Sequence, residues 1–149
     1  MVHSIPEHYT TAYTDGSDIS GKCGAGLVIY KDGVTIHQAA FSLGSGPTID
    51  QCELFAFLQA ALWLIDLDLP CSTIYILSDS KTALHKLCFH VISSKLLTHT
   101  MQALNTLART HNVQLHWVPA HSGIQGNEQA DKLAKLGANS STEHTIPPF

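Results

Sequence analysis

The sequence predicts an α/β fold in which a mixed five-stranded sheet carries helices on its faces. Three observations point there. "KDG", Lys31 to Gly33, is flanked on both sides by alternating apolar residues, the mark of an antiparallel hairpin. "QCELFAFLQAALWLIDL" places Leu54, Phe57, Leu58, Ala61, Leu62 and Ile65 at the three-and-four spacing of a helix buried on one broad face. Strand-like "TIYILSD" and "NVQLHWV" then alternate with helical segments, which argues for parallel strands joined by crossovers.

The elements follow in chain order. "YTTAYTD" reads as a short strand ending at Asp15, and "DGSDISGK" as a loop. "CGAGLVIY" is a second strand, with glycines where backbones approach closely. "VTIHQAAFSL" completes the hairpin, and "GSGPT" leads to the helix, with Thr48 or Asp50 as its cap. "TIYILSD" is almost continuously apolar, the look of a strand covered on both faces. "SKTALHKLCFH" is a short helix, and "SSKLLTHTMQALNTLARTH" a longer one capped by Ser93 or Ser94. "PAHSGIQGN" is a loop, and "EQADKLAKLG" a closing helix stopped by Gly137. The expected organisation is a linker-like segment at 1–9, one domain at 10–138 and a polar, proline-ended tail at 139–149.

Composition narrows the function. The net charge is −4 and Arg109 is the sole arginine, so the chain does not hold nucleic acid by bulk positive charge. An acidic protein can still act on nucleic acid when metal ions neutralise its carboxylates. Cys23, Cys52, Cys71 and Cys88 form no CxxC pair, which speaks against zinc. They read as reduced thiols packed as small hydrophobes, in a cytosolic or nuclear protein. "MVHSIPEH" has no apolar core of a signal peptide, and no apolar run is long enough to span a membrane.

Asp15 raises the chemical question. Asp-Gly is a common turn signal, but Asp15 and Asp79 both end strands expected to be central and parallel, the edge where open α/β sheets bind ligands. Glu53 lies near the start of the first helix and Asp131 in the first or second turn of the last. Each acid alone has a plain explanation at a turn or a helix N-terminus. Four carboxylates converging at ~4–6 Å would repel one another and stay ionised only around something positive. Hard divalent cations meet that need, and a pair of them activates a water and stabilises the leaving oxygen of a phosphodiester. His121, in a glycine-rich loop crossing the same edge, is placed to move a proton. Trp63, Trp117, Tyr13 and Tyr75 read as packing residues, and Lys132 and Lys135 as solvated helix charges.

"YTDGS", "ELFAFLQA", "ILSDSKTAL" and "WVPAHSGIQGNEQADKLAK", in this order and spacing, resemble type 1 ribonuclease H domains from about Tyr13 to Leu136. The last stretch most resembles those of retroelements, especially the reverse transcriptase polyproteins of non-LTR retrotransposons. The resemblance implies endonucleolytic cleavage of the RNA strand of RNA/DNA hybrids, leaving a 3′-hydroxyl and a 5′-phosphate. It implies two magnesium ions, with manganese as a substitute. Asp15, Glu53, Asp79 and Asp131 are then the metal-holding catalytic acids. Asp15 bridges both ions, and Asp131 helps hold the one that activates water. His121 assists turnover without being a ligand. Gly16, Ser17, Asp50, Gln51, Ser80, Lys81 and Asn127 occupy substrate-facing positions, with recognition through minor-groove shape and 2′-hydroxyls.

Two positions depart from the family pattern. Ile49 stands where many relatives have asparagine, and Lys81 where many have glutamine. Lys81 reads equally as a solvated first-turn lysine or as a contact to the hybrid. The basic, tryptophan-rich protrusion of some cellular members is missing. Weak, salt-sensitive binding is therefore expected of an isolated monomer that is normally tethered to a reverse transcriptase domain. The alternative is a catalytically weak or inactive ribonuclease H-like domain with a binding or structural role. An integrase or 3′–5′ exonuclease on the same fold would lack the "HSGIQGN" loop at this spacing. A flavodoxin-like nucleotide binder would need a different glycine-rich turn.

Overall fold

A computed structural model describes residues 9–89 and 94–140. Residues 1–8 of the linker-like start, most of the polar tail, His90 and the candidate cap Ser93 lie outside the described residues, whereas Tyr9, expected in the linker, opens the first strand. The elements are β1 (Tyr9–Ile19), β2 (Lys22–Lys31), β3 (Val34–Gly44), α1 (Ile49–Leu67), β4 (Thr73–Ser78), α2 (Lys81–Phe89), α3 (Lys95–Ala108), β5 (Asn112–Trp117) and α4 (Gln125–Ala138). The sheet order is β3-β2-β1-β4-β5. β1–β2 and β2–β3 pair antiparallel, while β1–β4 and β4–β5 pair parallel. This is the mixed sheet that the sequence predicts. No helix among the described residues is long and apolar enough to cross a membrane.

The hairpin at "KDG" forms as expected. Asp32 and Gly33 both take positive φ (51° and 84°), the pairing that matches strand twist. The segment expected as a loop after Asp15 is instead strand. β1 runs on to Ile19 and pairs with β2 through a second tight turn at Ser20 and Gly21, with φ of 53° and 84°. Asp18 Oδ1 accepts from Gly21 N at 3.0 Å and stands in for a backbone partner in that turn. Asp15 thus lies inside a strand, opposite Gly26.

α1 begins with a capping box. Thr48 Oγ1 accepts from Gln51 N, and Gln51 Oε1 accepts from Thr48 N. The helix lies between the sheet and α3, so apolar residues are buried on more than the one face predicted. Cys52, Phe55, Ala56, Ala60 and Leu64 join Leu54, Phe57 and Leu58, while Leu62 is 43% exposed. The core between sheet and helices centres on Leu27, Ile29, Phe57, Ile74, Ile76, Leu96, Leu97 and Leu107. Ser94 caps α3 through its hydroxyl, at 3.1 Å from Leu97 N. Cys23 and Cys52 are buried, whereas Cys71 is exposed. Burial pushes the Cys52 thiol up, which makes it an inert packing group.

α4 covers the opposite face of the sheet over β1, β2 and β3. Its backbone rests directly on β2. A Cβ on Gly26 would strike the Ala130 carbonyl and the Ala134 amide, and one on Gly24 the Ala134 carbonyl. Gly137 is not the helix stop that its position suggested. It lies within α4, against the Phe41 carbonyl, where any side chain would collide. Gly26→Ala is accordingly expected to cost about 3 kcal/mol or more, because backbone cannot rotate out of the way. An unchanged thermal midpoint would contradict this packing.

β4 is covered on one face only. Ile74, Ile76 and Ser78 are buried toward α1, while Tyr75 and Leu77 are half-buried. With Tyr9, Thr11, Tyr13, His116 and Trp117 they line a groove of about 440 Å³ beside α4.

Candidate active site

Local chemistry around Asp15 draws the acids together. Gly16 N donates to Asp15 Oδ1 and to Glu53 Oε1, both at 2.9 Å. A Cβ on Gly16 would lie 2.9 Å from Cys52 Cβ and 2.9 Å from Glu53 N, so only glycine lets the start of α1 come this close to β1. Ser78 Oγ is 3.5 Å from Glu53 Oε2 and accepts from Ser80 N at 3.0 Å. Asp79 follows β4. Its carbonyl accepts from Trp117 Nε1 at 3.2 Å, and its Oδ2 from Asn127 Nδ2 at 3.4 Å.

Asp15, Glu53 and Asp79 thereby bring one oxygen each within 4.8 Å of one another. Asp131, in the second turn of α4, lies on the Asp15 side of this trio, close enough to add to the rise of the Asp15 carboxyl. It also pairs with Lys135 at 2.9 Å. Asp15 and Glu53 are each 4% exposed. Burial pushes both carboxyls above their ordinary range. Glu53 and Asp79 add to the rise at Asp15, which is the larger. Hydrogen bonds from Asp15, Gly16 and Ser78 partly offset the rise at Glu53. Without a metal, protons must do the neutralising.

The donor set fits a hard divalent cation. It is all oxygen, it is anionic, and it is held from behind by Gly16, Ser78 and Asn127. Asn127 is 2% exposed, and its Oδ1 has no hydrogen-bond partner among the described residues. That is an unmet acceptor beside the acids.

Residues 7–139 match the family model described as RNase H. The chain belongs to the ribonuclease H family. It is 31% identical over 140 residues to a ribonuclease H of Tropheryma whipplei, covering 86% of this chain and 83% of that one. Its fold matches RNase H1 from the halophilic archaeon Halobacterium salinarum, with a TM-score of 0.67 and 22% identity over 87% of this chain and 96% of the other. It also matches LC11-RNase H1, whose structure is a complex with an RNA/DNA hybrid, with a TM-score of 0.67 and 17% identity over 85% and 97%.

The other candidate residues of this ribonuclease H domain fall into two groups. Gly16 and Asn127 hydrogen-bond to the acids, and Ser80 and Lys81 follow Asp79 in the chain at the start of α2. Ser80 caps α2 through its hydroxyl, at 3.1 Å from Ala83 N, and Lys81 lies 4.4 Å from the centre of the Trp117 ring. Ser17 is buried on β1. Asp50 and Gln51 sit at the start of α1, with their side chains engaged by Lys86 at 3.0 Å and by Thr48. His121 is exposed on the loop between β5 and α4, on the same edge of the sheet, in left-handed backbone with φ of 53°. Ser122 beside it donates to the Pro119 carbonyl at 2.8 Å, which orders that loop.

Three supporting residues escaped sequence reading. Ser78 was hidden in an apolar strand. Trp117 read as packing, yet its indole N–H holds the Asp79 backbone. Lys135 read as solvated, although its spacing of four from Asp131 signals an ion pair.

Proposed function

We propose that this domain is an endonuclease that hydrolyses the RNA strand of RNA/DNA hybrids, leaving a 3′-hydroxyl and a 5′-phosphate. The observation that carries the reading is the convergence of Asp15, Glu53 and Asp79, with Asp131 alongside, on family membership already shown. Magnesium held by these four acids would supply an ionised water and stabilise the leaving 3′-oxygen of the cleaved bond, with manganese as a substitute. The chain's own groups do the rest. Gly16 N–H fixes Asp15 and Glu53 in one orientation. Asn127 and Trp117 hold Asp79 by side chain and backbone. Exposed His121 can carry a proton between the site and solvent as product leaves. Gly16, Ser80 and Lys81, which are not buried, are the groups offered to the hybrid, which is read by its shape and its 2′-hydroxyls, while buried Ser17 and Asn127 support the site from behind.

We place the domain in a retroelement polyprotein, tethered to a reverse transcriptase in a reducing cytosolic or nuclear compartment. The acidic charge and single arginine support dependence on such a tether.

The test is cleavage of one labelled RNA in four states: hybridised to DNA, single-stranded, paired to RNA, and hybridised with EDTA. Only the magnesium hybrid is expected to be cut. Silence there, repeated with manganese and with the domain fused to its polymerase, would point to an inactive binding module. His121→Ala is expected to slow turnover about 10- to 100-fold, with KM little changed, because it assists without holding metal. Complete loss of cleavage would give the histidine a larger part.

A further inference from the structure

Of the four acids, Asp131 alone carries a lysine among the described residues. Lys135 Nζ lies 2.9 Å from Asp131 Oδ2, one helical turn away on α4. The Lys135 side chain is 53% exposed and that of Asp131 20%. The acid is N-terminal to the base, the favourable order for such a pair. Asp131 is thus the acid of the site that is held by an ammonium, at 2.9 Å. The inner trio of Asp15, Glu53 and Asp79 has no such cation among the described residues.

We infer that Lys135 is a built-in counter-cation that competes with divalent metal for Asp131, so that the inner trio loads first and the Asp131 position second. The inference rests on reading Asp131 as a metal ligand. A divalent ion and an ammonium on one carboxylate repel each other, so the ion gains Asp131 only as Lys135 swings away. Its exposed, flexible stem permits that movement. Lys135 acts through Asp131 and is a positioning residue. It raises the metal concentration at which the second position fills, and it keeps Asp131 neutralised when metal is scarce.

The experiment titrates Mn²⁺ and Mg²⁺ into the wild-type domain, Lys135→Gln and Lys135→Arg by calorimetry at low salt. Cleavage is then followed against magnesium concentration at saturating hybrid. Lys135→Gln is expected to tighten the weaker metal-binding event about 2- to 5-fold, the worth of one half-exposed ion pair, while Lys135→Arg matches wild type. The magnesium concentration for half-maximal cleavage should fall by the same factor. Unchanged or weaker metal uptake by Lys135→Gln overturns the role of Lys135, as does an equal shift in Lys135→Arg. A higher KM for hybrid with unchanged metal uptake would make Lys135 a phosphate contact and also overturns it. If the wild-type domain takes up neither ion, the metal-site reading itself fails, and this inference with it.

Discussion

Asp15→Asn is expected to abolish hybrid cleavage while making the metal-free domain more stable. The loss should exceed about a thousandfold, since even outer partners of metal ligands cost 10–100-fold when removed. The gain in stability follows from the same geometry. Asp15 is 4% exposed and lies against Glu53, Asp79 and Asp131, so the metal-free fold must keep it protonated at neutral pH. Asparagine reproduces that neutral form. Its oxygen still accepts from Gly16 N, and its amide donates where the carboxyl proton did. Removing the need to take up a proton should stabilise the fold by about 2 kcal/mol, or roughly 4–8 °C in thermal midpoint. The measurements are cleavage with magnesium and melting in EDTA. Wild-type cleavage by Asp15→Asn would take Asp15 out of the site. A lower melting point would mean that the carboxylates do not strain the empty fold. Asp79→Asn should also lose cleavage, with a smaller change in stability, because Asp79 is the less buried of the two.

The second large effect is a stability that depends on pH in opposite ways with and without metal. Asp15 and Glu53 have ordinary values of 3.8 and 4.5, and both are raised in the fold, chiefly by burial. The folded state therefore binds more protons than the unfolded state between those values and the raised ones. Stability then falls as pH rises. The metal-free domain should be most stable near pH 4–5. It should lose stability steadily through about 7, where Glu53 is placed, and further as Asp15 ionises. A divalent ion replaces the shared protons, so its uptake releases protons and tightens with increasing pH. Melting in EDTA and in saturating magnesium, from pH 5 to pH 8.5, tests both signs. Calorimetry in buffers of different ionisation enthalpy counts the protons. A melting point in EDTA that rises across this range would remove the shared-proton account of the acid cluster.

Much of the fold was legible because its signals are local. Asp32-Gly33 supports positive φ at both turn positions, and the hairpin forms there. Thr48 and Gln51 sit three apart and close a capping box. Gly24 and Gly26 on a strand signalled close approach of a backbone, and α4 supplies it. The order of the four acids was also readable, since each has a short motif around it. Ser20-Gly21 was not readable as a hairpin turn, because serine lacks the strong preference for left-handed backbone that marks asparagine or aspartate. The stretch after Asp15 therefore reads as loop in the sequence, although its four residues Gly16 to Ile19 belong to β1.

What the sequence by itself determined is the set of local preferences: which segments are strand or helix, where they start, and which residue types are available for chemistry. The tertiary structure decided the distances. Asp15, Glu53 and Asp79 lie on β1, on α1 and just after β4, and no local preference places their oxygens within 4.8 Å. That follows from a parallel β1–β4 pairing and from a glycine at position 16 that lets α1 close against β1. Packing alone also turned Gly137 from a helix stop into a contact with Phe41, exposed Leu62, and left one face of β4 open. The physical reason is common to all of them. Burial and approach depend on what comes to lie on each face, and that is a property of the assembled chain.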